Sequence, residues 1–387
     1  MFLKLINELE ESQGQRFFPQ FKFRGNVCAA ANGMEGYMKE KGKTIVSIGI
    51  VLGFFCIAFV LMSRLLQPKY MTDLEEGSFI SQYYREAGGH DVIFLGDCEV
   101  YANFSPMELY RNNGITAYIR GTPQQLVWMS YYVAEETFRY ETPRVLVFNV
   151  NAMRYSEPVS EAYNRLTIDQ MRWSASKAGI SSASMTDEEQ FLSYVFPILR
   201  YHSRFDKLTQ EDFSYLFKVR DNTFNGFQLH TEVVPEGTFP VKKVLPDYQF
   251  GDICYEYLDK IRLLCEENGT ELILVKAPSL YPYWYDEYDE QIREYAEEYG
   301  LAFYNFVEQS EEIGLDFMKD TYDGGYHLNL FGAVKLSQYF GDILTEDHGV
   351  ADHRQDPEIA PAYDKKLQVY DETIEERMRI QDNEENK

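Results

Sequence analysis

The stretch Asp91-Val-Ile-Phe-Leu-Gly-Asp-Cys-Glu-Val100 decides the fold. Its apolar run predicts a buried β-strand over 91–95, and the run stops at Gly96-Asp97-Cys98. In α/β enzymes, a buried strand that leads into a glycine and a small nucleophilic residue presents a reactive side chain at the carboxyl edge of a sheet. The alternative is a plain strand and turn in which Cys98 is a buried hydrophobic residue, since free cysteine is often buried.

The same alternation of strand and helix continues on both sides of an interruption. Further strands are predicted at 115–119, 144–148, 271–275 and 301–306. Helices are predicted at 124–140, 251–268, 284–299 and 330–345. Strands that alternate with helices indicate an α/β fold with a parallel sheet. Residues 155–248 break the alternation, so we expect a helical insertion there that forms a lid or subdomain.

Twenty residues without a charge, Thr44 to Ser63, precede the first strand. A helix of that length spans a bilayer core, and a buried helix of a soluble protein is rarely apolar all round. Lys39, Lys41 and Lys43 lie on its amino side, so the positive-inside rule predicts a cytoplasmic N-terminus and an extracytoplasmic main domain. The sequence therefore predicts a single-pass protein of the cell membrane.

This interpretation divides the chain into five parts. The predicted parts are a cytoplasmic segment 1–43, a transmembrane helix 44–66, a connector 67–88, an α/β domain 89–347 and an acidic tail 348–387. The tail lacks a strong apolar stripe beyond a possible helix at 363–379, so we expect it to be mobile or loosely docked.

Charge and cysteine content exclude several classes of protein. The formal net charge of −25 argues against a nucleic-acid partner or an anionic lipid surface, because both require basic patches. The five cysteines are too scattered for a disulfide framework. No C-x-x-C or H-E-x-x-H spacing occurs, so we expect neither a structural metal site nor a cofactor.

Several chemically active residues follow the predicted strands. In a parallel sheet with right-handed crossovers, the carboxyl ends of all strands lie on one edge, where ligands bind. The residues at that edge are Cys98, Gly121, Asn149 or Asn151, and the loop 320–329 with Asp323 and His327. A thiol, a glycine N–H, an amide and an Asp/His pair suffice for acyl transfer, because they supply a nucleophile, an oriented base and oxyanion donors.

At this point the sequence resembles the SGNH/GDSL hydrolases and acyltransferases. The similar blocks are Gly96-Asp97-Cys98, with cysteine in place of the nucleophilic serine, the oxyanion glycine Gly121, the asparagine at 149 or 151, and Asp323 with His327. More closely, the chain resembles membrane-anchored SGNH-like proteins of Gram-positive anaerobes, with which it shares Tyr201-His-Ser-Arg204 and His327-Leu-Asn-Leu-Phe-Gly-Ala333. The likeness covers about 89 to 347.

The resemblance implies a three-layer α/β/α domain with a five-stranded parallel sheet in the flavodoxin-like order 2-1-3-4-5. It implies that Cys98 attacks an acyl carbonyl, His327 is the base, Asp323 orients it, and the N–H groups of Cys98 and Gly121 with one asparagine hold the oxyanion. Pairing with His327 would lower the pKa of the thiol from about 8.5, whereas neighbouring Asp97 and Glu99 would raise it. Further candidates for substrate contact are His202, Arg204, Tyr283 and Trp284.

Two functions remain open from the sequence. The first is an acyl esterase or O-acyltransferase that acts on an extracytoplasmic cell-wall or exopolysaccharide glycan, for which the resemblance implies a polytopic membrane O-acyltransferase as a possible partner. The second is a non-catalytic glycan-binding or assembly module on a degenerate SGNH scaffold. A thiol redox protein is disfavoured, because no second cysteine is placed to resolve Cys98.

Overall fold

A computed structural model describes residues 26–68, 77–86, 88–158, 160–217, 224–238 and 241–385. Most of the predicted cytoplasmic segment and part of the predicted connector therefore lie outside the described residues. The chain divides into two units, Met1–Met62 and Ser63–Lys387.

One helix has the properties of a membrane span. Helix α1 covers Asn26–Leu66, and its part Lys43–Leu66 is long and apolar enough to cross a membrane. Within the described ranges it is the one helix that meets this criterion of length and composition. Its apolar side chains, such as Ile45, Phe54 and Val60, are exposed. That it crosses a membrane, and in which direction, stays a prediction.

The second unit is built on one five-stranded parallel sheet. Its strands are β1 (Val92–Gly96), β2 (Ala117–Gly121), β3 (Val145–Asn149), β4 (Glu271–Lys276) and β5 (Ala302–Asn305). Their order is β2-β1-β3-β4-β5, and every neighbouring pair is parallel. The predicted fold class and strand order are confirmed. Each predicted strand is found within two residues of its expected bounds.

Helices cover both faces of the sheet. They are α2 (Gly77–Glu86), α3 (Cys98–Asn103), α4 (Pro106–Asn113), α5 (Val127–Thr137), α6 (Glu161–Ile168), α7 (Ala175–Ser184), α8 (Phe191–Val195), α9 (Ile198–Tyr201), α10 (Gln210–Ser214), α11 (Asp252–Asn268), α12 (Asp286–Tyr299), α13 (Ser310–Ile313), α14 (Leu330–Glu346) and α15 (Ala360–Glu385). Two 3-10 helices, Val150–Arg154 and His202–Lys207, complete the set in the described ranges.

Alternate residues of each strand enter different cores, as the twofold period of a strand requires. Ile93 and Leu95 of β1 pack into a core with α2, α5, α7, α11 and α12. Val92 and Phe94 pack on the other face, into a core with α3, α4, α14 and α15. The sheet is thus buried on both faces, which explains why its strands are almost uniformly apolar.

The insertion packs against the domain. Its short helices α6, α7 and α8 bury Ile168, Ile180 and Tyr194 in the first core. Further along the chain, Phe227 and Leu229 enter the second core. The sequence also predicts a helix over 191–199, which the structure divides into α8 and α9 because Pro197 interrupts it. It further predicts loops or a hairpin over 219–248, part of which lies outside the described residues.

The expectation of a loosely docked tail is wrong. Helix α15 is 26 residues long, and it buries Tyr363 and Tyr370 in the second core. The ring of Tyr363 stacks on Tyr110 at a centroid distance of 4.3 Å. Upstream of the helix, His353 Nε2 lies 2.7 Å from Asp91 Oδ2. The contacts come from one face of the helix, where Leu367 and Ile374 are partly buried beside the two tyrosines.

Candidate active site

The turn between β1 and α3 places Cys98 at the carboxyl edge of the sheet. Gly96 has a φ of +152°, and a Cβ there would lie 2.9 Å from Asn149 Cβ, so the position requires glycine. Asp97 caps α3, because its Oδ1 accepts a hydrogen bond of 3.2 Å from the backbone N–H of Glu99. Cys98 is therefore the first residue of a helix, which the sequence analysis did not predict.

The loop after α13 supplies a paired histidine and aspartate. His327 Nδ1 lies 2.6 Å from Asp323 Oδ2, and the backbone N–H of His327 donates to Asp323 Oδ1 at 2.8 Å. Gly324 and Gly325 have φ values of +81° and +102°, which allows the chain to return over four residues. The structure thus brings His327 and Asp323 together, as the sequence predicted.

One buried amide fixes this loop to α3. Asn103 Oδ1 accepts a hydrogen bond of 2.9 Å from the backbone N–H of Leu328, directly after His327. Its Nδ2 donates to the carbonyl of Pro278, also at 2.9 Å. Asn103 therefore sets the position of the histidine loop relative to the helix that begins at Cys98. Sequence reasoning missed it, because nothing local marks an asparagine at the end of a short helix as a tether.

Cys98 and His327 are neighbours at this edge, and each shifts the pKa of the other. Both side chains are partly exposed. Burial raises the pKa of the Cys98 thiol; His327 opposes the rise, whereas Asp97 and Glu99 add to it. Burial lowers the pKa of His327, but Cys98 and the hydrogen bond to Asp323 outweigh burial and hold it well above its ordinary value. A ring with a raised proton affinity therefore lies next to the thiol.

A buried ion pair lies beneath Cys98. Lys276 Nζ lies 2.8 and 2.9 Å from the two carboxylate oxygens of Glu99, and Ser279 Oγ donates to Glu99 Oε1 at 2.9 Å. Burial alone would raise the pKa of Glu99, but Lys276 and Asn149 outweigh it and the net shift is downward. The Glu99 carboxylate is therefore held in its charged form. Lys276 and Glu99 are 177 residues apart in the chain, so no sequence spacing indicated that they pair.

Asp97 belongs to the same hydrogen-bonded network as Glu99. Asn149 Nδ2 donates to Asp97 Oδ1 at 3.1 Å, and Asn151 Nδ2 donates to Asp97 Oδ2 at 2.6 Å. Burial and the charge of Glu99 raise the pKa of Asp97. The carboxyl group next to the nucleophile candidate is therefore easier to protonate than an exposed aspartate.

The two candidate oxyanion asparagines differ in what their amides already bind. Asn149 Nδ2 donates to both Asp97 and Glu99, and its Oδ1 accepts from the backbone N–H of Ala277 at 3.1 Å. The amide of Asn151 donates to Asp97, and its buried Oδ1 has no hydrogen-bond partner in the part of the chain that the structure describes. Asn151 thus has one amide hydrogen to spare, whereas Asn149 has none.

Gly121 lies at the same edge. It pairs in register with Gly96. A Cβ on Gly121 would approach Val100 Cγ2 to 2.4 Å and the carbonyl oxygen of Asp97 to 3.2 Å. The absence of a side chain therefore lets the end of β2 approach the turn that carries Cys98.

His202 and Arg204 lie elsewhere. His202 Nδ1 is 3.1 Å from the carbonyl oxygen of Leu199. Arg204 donates to the carbonyl of Leu66 at 2.5 Å and to Asp212 Oδ1 at 3.1 Å. Within the described ranges these contacts are all with the insertion and the end of α1. The stretch Tyr201-His-Ser-Arg204 is therefore connected to the end of α1 and not to Cys98.

Tyr283 and Trp284 are closer to the site. The ring of Tyr283 lies 5.7 Å from that of Tyr281, which lies 5.0 Å from Tyr326, the neighbour of His327. Trp284 donates to Asp289 Oδ1 at 3.1 Å, and Lys276 Nζ lies 5.8 Å from its ring centroid. The rings of residues 281, 283 and 326 are at least partly exposed and form an aromatic rim beside the histidine loop.

Arg154 is a cation at this edge that the sequence analysis did not single out. Its Nε donates to the carbonyl of Asn151 at 3.3 Å, and Nη2 donates to the hydroxyl of Tyr155 at 3.1 Å. Its charge opposes the net rise in the pKa of Asp97 and adds to the net fall in the pKa of Glu99. Among the described residues, no carboxylate lies within ion-pair distance of its partly exposed guanidinium. The only available signal was its place five residues beyond the end of β3.

Comparison with known proteins gives distant likenesses. No family model matches the chain, and no curated protein matches its sequence. Among solved structures, the chain is similar to a predicted acylhydrolase from Bacteroides fragilis, with 11% identity, a TM-score of 0.34, and coverage of 69% of this chain and 94% of that one. It is also similar to a GDSL-like lipase from Bacteroides thetaiotaomicron, with 11% identity, a TM-score of 0.33, and coverage of 70% and 99%. The strand order is the one that the SGNH/GDSL resemblance implied.

Proposed function

We propose that this chain is a membrane-anchored acyl esterase or O-acyltransferase that acts through Cys98, His327 and Asp323. One observation carries the proposal: His327, whose Nδ1 lies 2.6 Å from Asp323 Oδ2, is close enough to Cys98 at the carboxyl edge of the sheet for each to shift the pKa of the other. A nucleophile, a base and an orienting carboxylate in that sequence of contacts are the groups that acyl transfer requires.

In the proposed reaction, the Cys98 sulfur attacks the acyl carbonyl and its proton passes to His327. Asp323 keeps the imidazole oriented and stabilises the imidazolium. The backbone N–H groups of Cys98 and Gly121, with the spare amide hydrogen of Asn151, stabilise the oxyanion. His327 then protonates the departing alcohol. Water resolves the thioester in an esterase, and an acceptor hydroxyl resolves it in an acyltransferase.

The proposed substrate is an O-acylated extracytoplasmic glycan. The aromatic rim beside His327 suits sugar rings, because aromatic faces pack well against apolar faces of ligands. Membrane attachment through residues 44–66 would hold the domain near a polytopic O-acyltransferase that supplies acyl groups. This partner rests on the resemblance alone.

A second candidate is a non-catalytic glycan-binding module. The observation that favours it is the raised pKa of the Cys98 thiol, to which burial and the carboxylates of Asp97 and Glu99 contribute. A thiol that stays protonated at neutral pH is a poor nucleophile.

Turnover of p-nitrophenyl acetate by the full-length protein separates the two candidates. We expect Cys98→Ala to abolish turnover, and intact-mass analysis of the wild type to detect an acetyl group that the Cys98→Ala protein does not acquire. His202→Ala is the matched control for His327→Ala, because its ring lies outside the site. Unchanged turnover in Cys98→Ala would exclude the cysteine as nucleophile. Equal iodoacetamide labelling of Cys98 in wild type and His327→Ala would exclude a histidine-activated thiolate.

A further inference from the structure

In the insertion over residues 191–217, several side chains that carry polar groups are buried and many large apolar side chains are exposed. Tyr194, Tyr201 and Asp212 are directed inward and are buried. Six large apolar side chains instead remain 42–73% exposed: Leu192, Phe196, Leu199, Phe205, Phe213 and Phe217. Exposed apolar side chains concentrated in one segment mark a surface that another apolar phase covers.

This segment is joined to the carboxyl end of the apolar helix. The backbone N–H of Ile198 donates to Ser63 Oγ at 3.1 Å, and Arg204 donates to the carbonyl of Leu66 at 2.5 Å. Gln67 Nε2 donates to the carbonyl of Asp169 at 3.2 Å. Residues 63–67 belong to the same unit as the insertion and include the last turn of Lys43–Leu66. If that stretch spans a bilayer, its end lies at the lipid–water interface, and the segment bonded to it lies at the same depth.

The segment does not carry the acidic charge of the rest of the chain. Its cations are Arg200, Arg204 and Lys207, and its anions are Asp206, Glu211 and Asp212, so the formal sum is 3 − 3 = 0. The whole chain carries −25. The repulsion from anionic headgroups that the overall charge implies is therefore absent where the insertion meets the end of α1.

We propose that the segment 191–217 is a membrane-docking surface whose six exposed apolar side chains enter the outer-leaflet interface around the end of α1. Its occupant is the lipid bilayer. The proposal rests on the membrane anchoring put forward under the proposed function. An interfacial surface next to a spanning helix fixes the height and tilt of the domain, which a single flexible tether does not do.

Photocrosslinking in full-length protein, reconstituted in vesicles of equimolar phosphatidylethanolamine and phosphatidylglycerol, tests the proposal. The photoreactive residue p-benzoylphenylalanine replaces Phe205 or Phe217 in the insertion. It replaces Phe54 of α1 as the test of anchoring and Val244, which is 90% exposed, as the solvent control. We expect phospholipid adducts, detected by mass, at 54, 205 and 217, with at least a tenfold lower yield at 244.

Each outcome decides the question. Lipid adducts at 54 without adducts at 205 and 217 overturn the docking surface and leave the anchor intact. No lipid adduct at 54 overturns the anchor and the docking surface together. Adducts of equal yield at 244 show unspecific capture and also overturn the docking surface. Protein-to-protein adducts at 205 and 217 in place of lipid adducts assign the surface to a second copy of the chain, which overturns the bilayer as its occupant.

Discussion

Replacing Lys276 with methionine is expected to destabilise the domain strongly. The change preserves the length of the side chain and removes its positive charge. Among the described side chains that bond to the Glu99 carboxylate, which are Lys276, Ser279 and Asn149, only Lys276 carries a charge that neutralises it. Both members of the pair are essentially inaccessible to solvent, so no screening by water reduces the effect. Removing one partner of such a buried pair costs about 3–5 kcal/mol in the free energy of unfolding.

Urea unfolding of the full-length protein, followed by tryptophan fluorescence, measures that cost. Lys260→Met is the matched control, because Lys260 forms a 2.6 Å ion pair with Glu256 on the exposed surface of α11. We expect the control to change the free energy of unfolding by less than about 0.5 kcal/mol. The double variant Glu99→Gln with Lys276→Met should recover part of the lost stability, because no uncompensated charge remains.

The pH dependence gives an independent check of sign. The pKa of Glu99 in the folded wild type lies below its ordinary value of 4.5, so its stabilising effect is present above that pH and is lost as the pH falls through the lower folded value. Without Lys276, burial raises the pKa of Glu99, and acid then protonates the carboxylate in the folded variant first. The stability difference between wild type and Lys276→Met should therefore begin to shrink above pH 4.5, as Glu99 is protonated in the folded variant, and continue to shrink below it. A loss under 1 kcal/mol at pH 7, or a difference independent of pH, would refute the charged buried pair.

Three further substitutions test other contacts. Asp323→Asn removes a charge that raises the pKa of His327. A titration followed by NMR should therefore show a lower pKa for that ring, and turnover should fall at least tenfold. An unchanged pKa of His327 would contradict the pairing with Asp323. Asn103→Leu leaves a buried N–H and a carbonyl unpaired, which should cost about 1–3 kcal/mol in urea unfolding and reduce turnover as well; full turnover would show that the tether does not position the histidine loop. Tyr370→Ala should cost about 3–5 kcal/mol by leaving a cavity, against about 0.5 kcal/mol or less for exposed Val369→Ala; equal costs would contradict the docking of α15.

The strands could be predicted from the sequence because burial on both faces makes each one a short, uniformly apolar run. β1 and β3 are the clearest cases, since charged or turn-forming residues border Val92–Leu95 and Val145–Phe148. The positions of Cys98 and His327 followed from topology, because parallel strands bring their carboxyl ends to one edge. The topology of the sheet alone was enough to predict that Cys98 and His327 lie near each other.

The contacts that hold the site in place could not be predicted in the same way. Glu99 and Lys276 are adjacent only after β1, β3 and β4 have assembled, and a buried lysine in an apolar strand has no local mark that names its partner. Asn149 is of the residue type expected in an oxyanion hole. Its amide nevertheless donates to the carboxylates of Asp97 and Glu99, which are close to it only in the folded sheet. The expectation for the tail was wrong for a different reason: the side chains that pack into the second core, Tyr363, Leu367, Tyr370 and Ile374, lie among charged and polar residues.

The position of α15 has a consequence for the order in which the protein is made. The helix is synthesised after every other element of the second core, yet the ring of Tyr370 lies 4.9 Å from Phe224, and Tyr363 stacks on Tyr110. The second core thus remains open to solvent until α15 has left the ribosome and, if α1 is a membrane anchor, crossed the bilayer. A premature stop near residue 350 would leave that core exposed although all five strands are present. Quality control can therefore recognise a chain that lacks α15 by its exposed second core.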